Sequence, residues 1–424
     1  MTHSNSRIRI LYLLSGGVAG GIATGLAGLL RHLDRKRYEP IIATITRGPG
    51  EALLRQEKFS CTPLPPKNKL RALGRLIKQK QIHLVQSCDA AAEGAFASYL
   101  LGLPHIWFIG GSLQTTFAHS SPWTLKALKM FIRPLSHAVV VPSCSLAREE
   151  FPDLPAHKLY VIPWGVDIRL SSSQSKHGWL RQKLDFPPNG PLIAMIGNFY
   201  PAKRHLDFLQ AASFIHRIIP QARFVIAGQR VGGPFSKTFQ TSTCYRAKIL
   251  QAIRRLKLEK VVKLSSFSVP ERIAWIQEID LLLCLSHEGM SQALQEAGAC
   301  GVPIVAVNAG GNSEFIQDRL SGRLTPYRNP RASAQTAVEL LRNPNLARKF
   351  GKALQRRVRA AFTAERQARR FEQLYERTIQ TFKGASSSKR PNSQPPLHGP
   401  SNSSGLGPSN SRGFQLSSGA ANRL

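Results

Sequence analysis

Short apolar runs separated by helical periods recur along almost the whole chain, and they fall into two sets. Residues 8–14, 41–45, 84–86, 106–109, 138–141 and 160–162 form the first, and residues 192–196, 223–227, 261–264, 281–285 and 304–307 form the second. Strands that alternate with helices in this way build parallel, doubly wound α/β sheets. A chain of 424 residues also exceeds what one core usually holds. Two Rossmann-like domains are therefore expected, at 1–170 and 192–364, joined by a linker at 171–191 rich in Ser, Pro, Gly and charge. A basic helical stretch follows to residue 383, and 384–424 holds too few large apolar residues to offset its ordering entropy.

Lys and Arg number 58 against 24 Asp and Glu, a net charge of +34. Such a balance attracts a polyanion, whether nucleic acid, anionic lipid or acidic glycan, without choosing among them. No nucleic-acid recognition module accompanies it, so no nucleic-acid partner is expected. The six cysteines show no zinc spacing and read as reduced, mostly buried residues of a cytoplasmic protein. No segment approaches the length of a membrane span. Near the start, Arg7 and Arg9 precede an apolar run that ends at Gly16-Gly17, too short for a signal peptide and better read as a first strand.

The most informative segment is 284–305. An apolar run ends at Leu285, Glu288 and Gly289 follow, a helical stretch carries Glu296, and Gly301-Val302-Pro303 leads into the next apolar run. In a strand–loop–helix–strand unit, the loop before the helix presents unpaired backbone N–H groups and the positive dipole end, which suit a phosphate. The eight-residue step from Glu288 to Glu296 spans about 12 Å along an ideal helix, too far to share one metal. The two carboxylates suit opposite ends of an elongated ligand.

Glu288 to Glu296, with Gly310-Gly311-Asn312-Ser313-Glu314 downstream, resembles the E-x7-E signature and second glycine loop of the retaining GT-B glycosyltransferases of family 4, also called group 1. The resemblance runs from about Ile8 to about Ile379 and implies two sheets facing across a cleft, acceptor on the first domain and nucleotide-sugar donor on the second. It implies a last helix, 365–383, crossing back to the first domain. It also implies a retaining, metal-independent transfer of a sugar from a nucleoside diphosphate to a glycan or lipid-linked acceptor, in cell-surface polysaccharide assembly. On this resemblance Glu288 contacts the donor sugar or supports its developing positive charge, and Glu296 accepts hydrogen bonds from the ribose. The N–H groups of Gly289, Met290 and Ser291 face the diphosphate, and Glu314 holds its loop or touches the nucleotide. Lys203 stabilises the leaving phosphate; Asn198 stands where the family often carries an arginine, so either one positive contact is missing or Arg204 replaces it. No cofactor or metal is expected, and the sequence holds no Asp-x-Asp pair.

Gly20 and Gly21 close a glycine-rich turn after the first strand, which the resemblance places at the cleft; an ordinary tight turn uses the same residues. Where the family commonly carries histidines, this chain has Gln86 and Phe108-Ile109-Gly110-Gly111. His105 and His119 flank the region without occupying those positions. A catalytically silent GT-B-like protein bound to an anionic partner is the alternative. Two basic stretches, 67–80 and 123–133, place apolar residues on helical stripes, with Leu70, Leu73, Leu76 and Ile77 in the first. Each stripe reads as a core-facing surface or as peripheral attachment to the anionic inner face of the plasma membrane.

Overall fold

The computed structural model describes residues 7–16, 20–88, 92–113, 122–169, 178–229, 237–266 and 271–387. Its first sheet has seven strands in the order β3-β2-β1-β4-β5-β6-β7. They are β1 (Ile8–Leu14), β2 (Tyr38–Thr44), β3 (Cys61–Pro63), β4 (Leu84–Cys88), β5 (His105–Phe108), β6 (Ala138–Val141) and β7 (Leu159–Val161). The second sheet runs β10-β9-β8-β11-β12-β13. Its strands are β8 (Leu192–Ile196), β9 (Arg223–Ala227), β10 (Val262–Ser265), β11 (Leu281–Cys284), β12 (Ile304–Val307) and β13 (Arg323–Thr325). Neighbouring strands pair in parallel, as in Leu11 opposite Ile41 and Ile193 opposite Phe224. The fold is the two-sheet α/β arrangement expected from the sequence.

Alternate side chains of β1 serve opposite faces, because a strand repeats every two residues. Ile10, Tyr12 and Leu14 join the Gly21–His32 helix and the last helix in the largest apolar cluster. Leu11 and Leu13 pack instead against Leu73, Leu76 and Ile77 of the Lys69–Gln79 helix. The larger cluster continues through Trp164 to Leu294, Phe315 and Phe371 and so joins the two sheets.

The basic stretch after residue 343 divides into helices Pro344–Ala361 and Ala364–Ser387. The first packs on the Gln292–Ala299 helix, close enough that a Cβ on Gly298 would lie 3.1 Å from Leu354 Cγ. At the break, Thr363 forms a parallel bridge with Val166. The second helix lies on the first sheet: Tyr375 donates to Gln86 Oε1 at 2.7 Å, Tyr12 meets the Tyr375 hydroxyl at 3.0 Å, and Tyr38 donates to Glu376 at 2.9 Å. Gln86, at one position where a histidine was looked for, thus anchors a helix.

Several details depart from the sequence reading. The edge strands β3 and β13 have three residues each, too few for periodicity to register. Leu70 is 44% exposed and does not join Leu73, Leu76 and Ile77 in the core. The cysteines are free, but Cys144 and Cys244 lie at the surface, Cys144 because it opens the short surface helix Cys144–Glu150. Within 171–191, residues 178–191 contain the short helix Trp179–Lys183; 170–177 lie outside the described residues, as do His119, most of the tail and the middle of the glycine-rich turn. Among the described residues no helix is long and apolar enough to cross a membrane.

Candidate active site

The loop after β11 delivers Glu288 and the turn after β8 delivers Lys203. Lys203 Nζ lies 2.6 Å from Glu288 Oε2, and Ser286 donates to Glu288 Oε1 at 2.6 Å. Burial pushes the Glu288 carboxyl up, but the Lys203 ammonium and the Ser286 hydroxyl outweigh it, and the net direction is down. Burial lowers Lys203, and its attraction to Glu288 more than reverses this, so the ammonium is held on. Lys203 ends the short turn Pro201–Lys203, and its stem folds back over Gly197, where an added Cβ would lie 3.1 Å from Lys203 Cδ.

The two glycine loops of the sequence are one structure. Gly311 N donates to Glu288 O at 2.8 Å, and a Cβ on Gly310 would stand 2.1 Å from the same oxygen. Gly310 also has φ +58°, which favours glycine independently of space. A Cβ on Gly311 would lie 1.9 Å from Gly289 O. The Gly310-Gly311 turn therefore sets the backbone that carries Glu288, Gly289 and Met290.

Met290 and Ser291 are buried where the Gln292–Ala299 helix begins, and Ser291 makes no side-chain cap bond. The positive end of that helix is directed at the loop. Gly21 opens the helix of the first half that faces it: a Cβ there would sit 3.3 Å from Gln292 Cγ, and one on Gly25 would overlap Trp164 at 2.1 Å. Gly20 precedes it in extended backbone. Gln295 donates to Trp164 O at 2.6 Å, a further link between the halves.

Glu296 lies on the same helix, 4% exposed, with Arg272 Nη2 2.9 Å from its Oε1. Arg272 opens the short helix Arg272–Gln277 and reaches Thr24 Oγ1 of the first half at 3.4 Å. Among the described residues its Nε is buried without a hydrogen-bond partner. Burial pushes the Glu296 carboxyl up, and Arg272 opposes that only in part. Sequence reasoning missed Arg272 because no spacing rule ties it to a carboxylate 24 positions away.

Other expected residues go elsewhere. Arg204 Nε and Nη2 donate to Asp207 Oδ2 at 2.8 and 2.6 Å, and the guanidinium lies over the Tyr327 ring. Asp207 thus orients the guanidinium that was expected to stand in for the family arginine, and the i,i+3 spacing was the available signal. Asn198 Oδ1 accepts from Gln229 N at 3.3 Å. Glu314 bridges the halves: its carboxylate accepts from Cys144 N at 2.8 Å and Ser145 N at 2.6 Å. His287 adds a contact to Glu149 at 3.1 Å. Gly289 also faces the first half, where a Cβ would lie 3.3 Å from Gly110 O. A Cβ on Gly110 would lie 2.8 Å from Ile22 and 3.1 Å from Trp164, so no larger residue fits that position unchanged. His105 sits between Ser87 and Ser136, pushed down to about 3 by burial, as a neutral structural imidazole. Among the described residues no three His, Cys, Asp or Glu side chains are grouped to hold a metal.

Two family models match the chain: Glycosyltransferase Family 4 over residues 19–170, and Glycosyl transferases group 1 over residues 179–357. An Escherichia coli UDP-Gal:alpha-D-GlcNAc-diphosphoundecaprenol alpha-1,3-galactosyltransferase is 25% identical over 60% of this chain and 65% of its own length. A D-inositol 3-phosphate glycosyltransferase of Thermobispora bispora is 26% identical over 49% of this chain and 48% of its own. The chain thus spans about half to two thirds of the length of these curated relatives. Anabaena HepE, crystallised with UDP and glucose, superposes with a TM-score of 0.76 at 21% identity, over 87% of this chain and all of that one. Sucrose-phosphate synthase from Thermosynechococcus elongatus gives 0.69 at 18% identity, over 88% of this chain and 100% of that one. At these identities the two structures speak to the fold.

Proposed function

The chain belongs to the group 1 (family 4) glycosyltransferases of GT-B fold, and from that premise we propose that it moves a sugar from a nucleoside diphosphate sugar to a glycan or lipid-linked acceptor. The setting is cell-surface polysaccharide assembly at the inner face of the plasma membrane. The observation that carries the reading is the Lys203–Glu288 pair, 2.6 Å apart at the mouth of the Gln292 helix. As the bond from the anomeric carbon to the diphosphate breaks, negative charge builds on the leaving oxygen and positive charge on the carbon. A fixed ammonium and a helix N-terminus stabilise the first, and an ionised carboxylate the second. The acceptor oxygen then bonds to that carbon and its proton passes to the departing diphosphate.

Glu296 takes the ribose hydroxyls at the far end of the donor, with Gly289, Met290 and Ser291 facing the diphosphate between. Retention of configuration and independence of metal rest on the family resemblance alone. A uridine nucleotide is favoured by the UDP held in the Anabaena neighbour, and a lipid-linked acceptor by the name of the E. coli relative.

The second reading, a catalytically silent protein on an anionic partner, draws on Gly110, where Ile22 and Trp164 leave no room for a side chain. A screen of nucleotide sugars separates the two. Thermal stabilisation by a donor together with release of its nucleoside diphosphate supports transfer chemistry, binding without turnover supports the silent protein, and the absence of both refutes the donor site.

A further inference from the structure

Among the described residues, every large apolar side chain open to solvent except Leu320 lies on one of three helices: Lys69–Gln79, Ala92–Leu100 and Pro122–Leu135. The three pack side by side, the middle one touching both others. The first of them covers the face of the first sheet that bears Leu11 and Leu13, opposite the face covered by the C-terminal helix.

The middle helix is built inside out. It buries the small residues Gly94, Ala95, Ala97 and Ser98 and turns Phe96, Tyr99 and Leu100 outward, 42%, 69% and 72% exposed. Their i, i+3, i+4 spacing makes them one stripe, where a water-facing helix would carry charge. On the third helix Trp123, Lys126 and Met130 are exposed at i, i+3 and i+7, one face, with the Lys126 ammonium 5.6 Å from the Trp123 ring centre. The first helix exposes Leu70 beside Arg71, Arg75 and Lys78, and Lys67 and Lys80 stand at its ends. Glu93 is the one acidic residue in these three helices.

We infer that this three-helix face seats the protein on an anionic lipid bilayer, with the Phe96-Tyr99-Leu100 stripe in the headgroup boundary and the cations of the Lys69–Gln79 helix on anionic headgroups. Its charge selects an anionic surface, and aromatic side chains with polar handles are those that settle at a lipid–water boundary. The reason for docking rests on the proposed transfer to a lipid-linked acceptor; the face itself does not.

The test is co-sedimentation of the full chain with phosphatidylglycerol–phosphatidylcholine vesicles and with phosphatidylcholine alone, at low and physiological salt. Wild type should bind the mixed vesicles, weakly at higher salt, and leave the neutral ones in solution. Phe96→Ser/Tyr99→Ser/Leu100→Ser and, separately, Arg71→Glu/Arg75→Glu should each lower partition by about tenfold or more. Both should keep the melting temperature and the UDP-induced stabilisation of wild type, which isolates the surface from the donor site. Equal partition on both lipids, none on either, or variants that bind as wild type would overturn the inference. So would light scattering in which wild type is a dimer without lipid and the triple variant a monomer, because the face would then belong to a second copy. Vesicle binding that fails while UDP still stabilises the protein leaves the transferase reading standing.

Discussion

Replacing Arg272 by methionine removes the cation 2.9 Å from Glu296 Oε1 while keeping an unbranched side chain of similar length. The pair is well shielded, with side chains 13% and 5% exposed. At an effective dielectric of about 20, charges about 4 Å apart attract by roughly 4 kcal/mol. Without Arg272, burial alone acts on Glu296, so the carboxyl is protonated at higher pH than in wild type. Its other ionisable neighbour, Cys300, is pushed up to about 12 by burial and by Glu296 itself and stays a neutral thiol. A neutral carboxyl exchanges charge-assisted bonds to two ribose hydroxyls for ordinary ones, a loss of about 1 kcal/mol each, or roughly 30-fold in UDP affinity. The sign of the pH dependence follows. A carboxyl whose folded pKa is raised favours the fold below its unfolded pKa, and that stability is lost as pH rises through the folded value. Arg272→Met should therefore lose melting temperature more steeply than wild type as pH rises above the ordinary carboxylate range. Over the same range its UDP affinity relative to wild type should recover, and titration of the UDP phosphate cancels in that ratio. Isothermal titration and thermal melts at matched pH measure both. Parallel profiles for variant and wild type would refute the assignment of Arg272 as the residue that holds Glu296 ionised for ribose.

Lys203→Ala should lower kcat by about 10²-fold or more with a smaller rise in donor KM, because its charge counts most as the diphosphate leaves; an unchanged kcat in steady-state assays would move that role elsewhere. Glu314→Ala should cost about 1–2 kcal/mol, a partly exposed pair of charge-assisted bonds, and speed amide exchange at Cys144 and Ser145. Unchanged protection of those two amides would show that the halves do not depend on the contact. Tyr375→Phe should lower stability in urea by about 1–3 kcal/mol, since Gln86 Oε1 loses its buried donor and the Tyr12 hydroxyl its partner.

The strands with clear apolar runs could be read in advance because period and punctuation are local. So could the place of Glu288 to Ser291 in the loop between β11 and the Gln292–Ala299 helix. Contacts made by folding could not. Nothing near Arg272 in sequence points to Glu296, and Glu314 finds the amides of Cys144 and Ser145 about 170 residues away. Gly110 looked like a missing side chain and is instead a close approach enforced by Trp164 and Ile22. The exposed stripe of the middle helix has no local signal, because Phe96, Tyr99 and Leu100 are types that usually lie in a core and only the fold shows that Ala95 and Ala97 do so in their place. The pairing of Arg204 with Asp207 lay within three positions and could have been foreseen.

The central claim is that the loop and helix from Glu288 to Glu296 bind a nucleotide sugar. Calorimetric titration of wild type and Glu296→Ala with UDP, GDP and their sugars, on protein whose fold is verified by thermal melting, tests it most directly. One nucleotide should bind wild type and bind the variant about 10- to 100-fold more weakly, the equivalent of about 1–3 kcal/mol. Failure of every nucleotide to bind wild type, or equal affinity for both proteins, would contradict it.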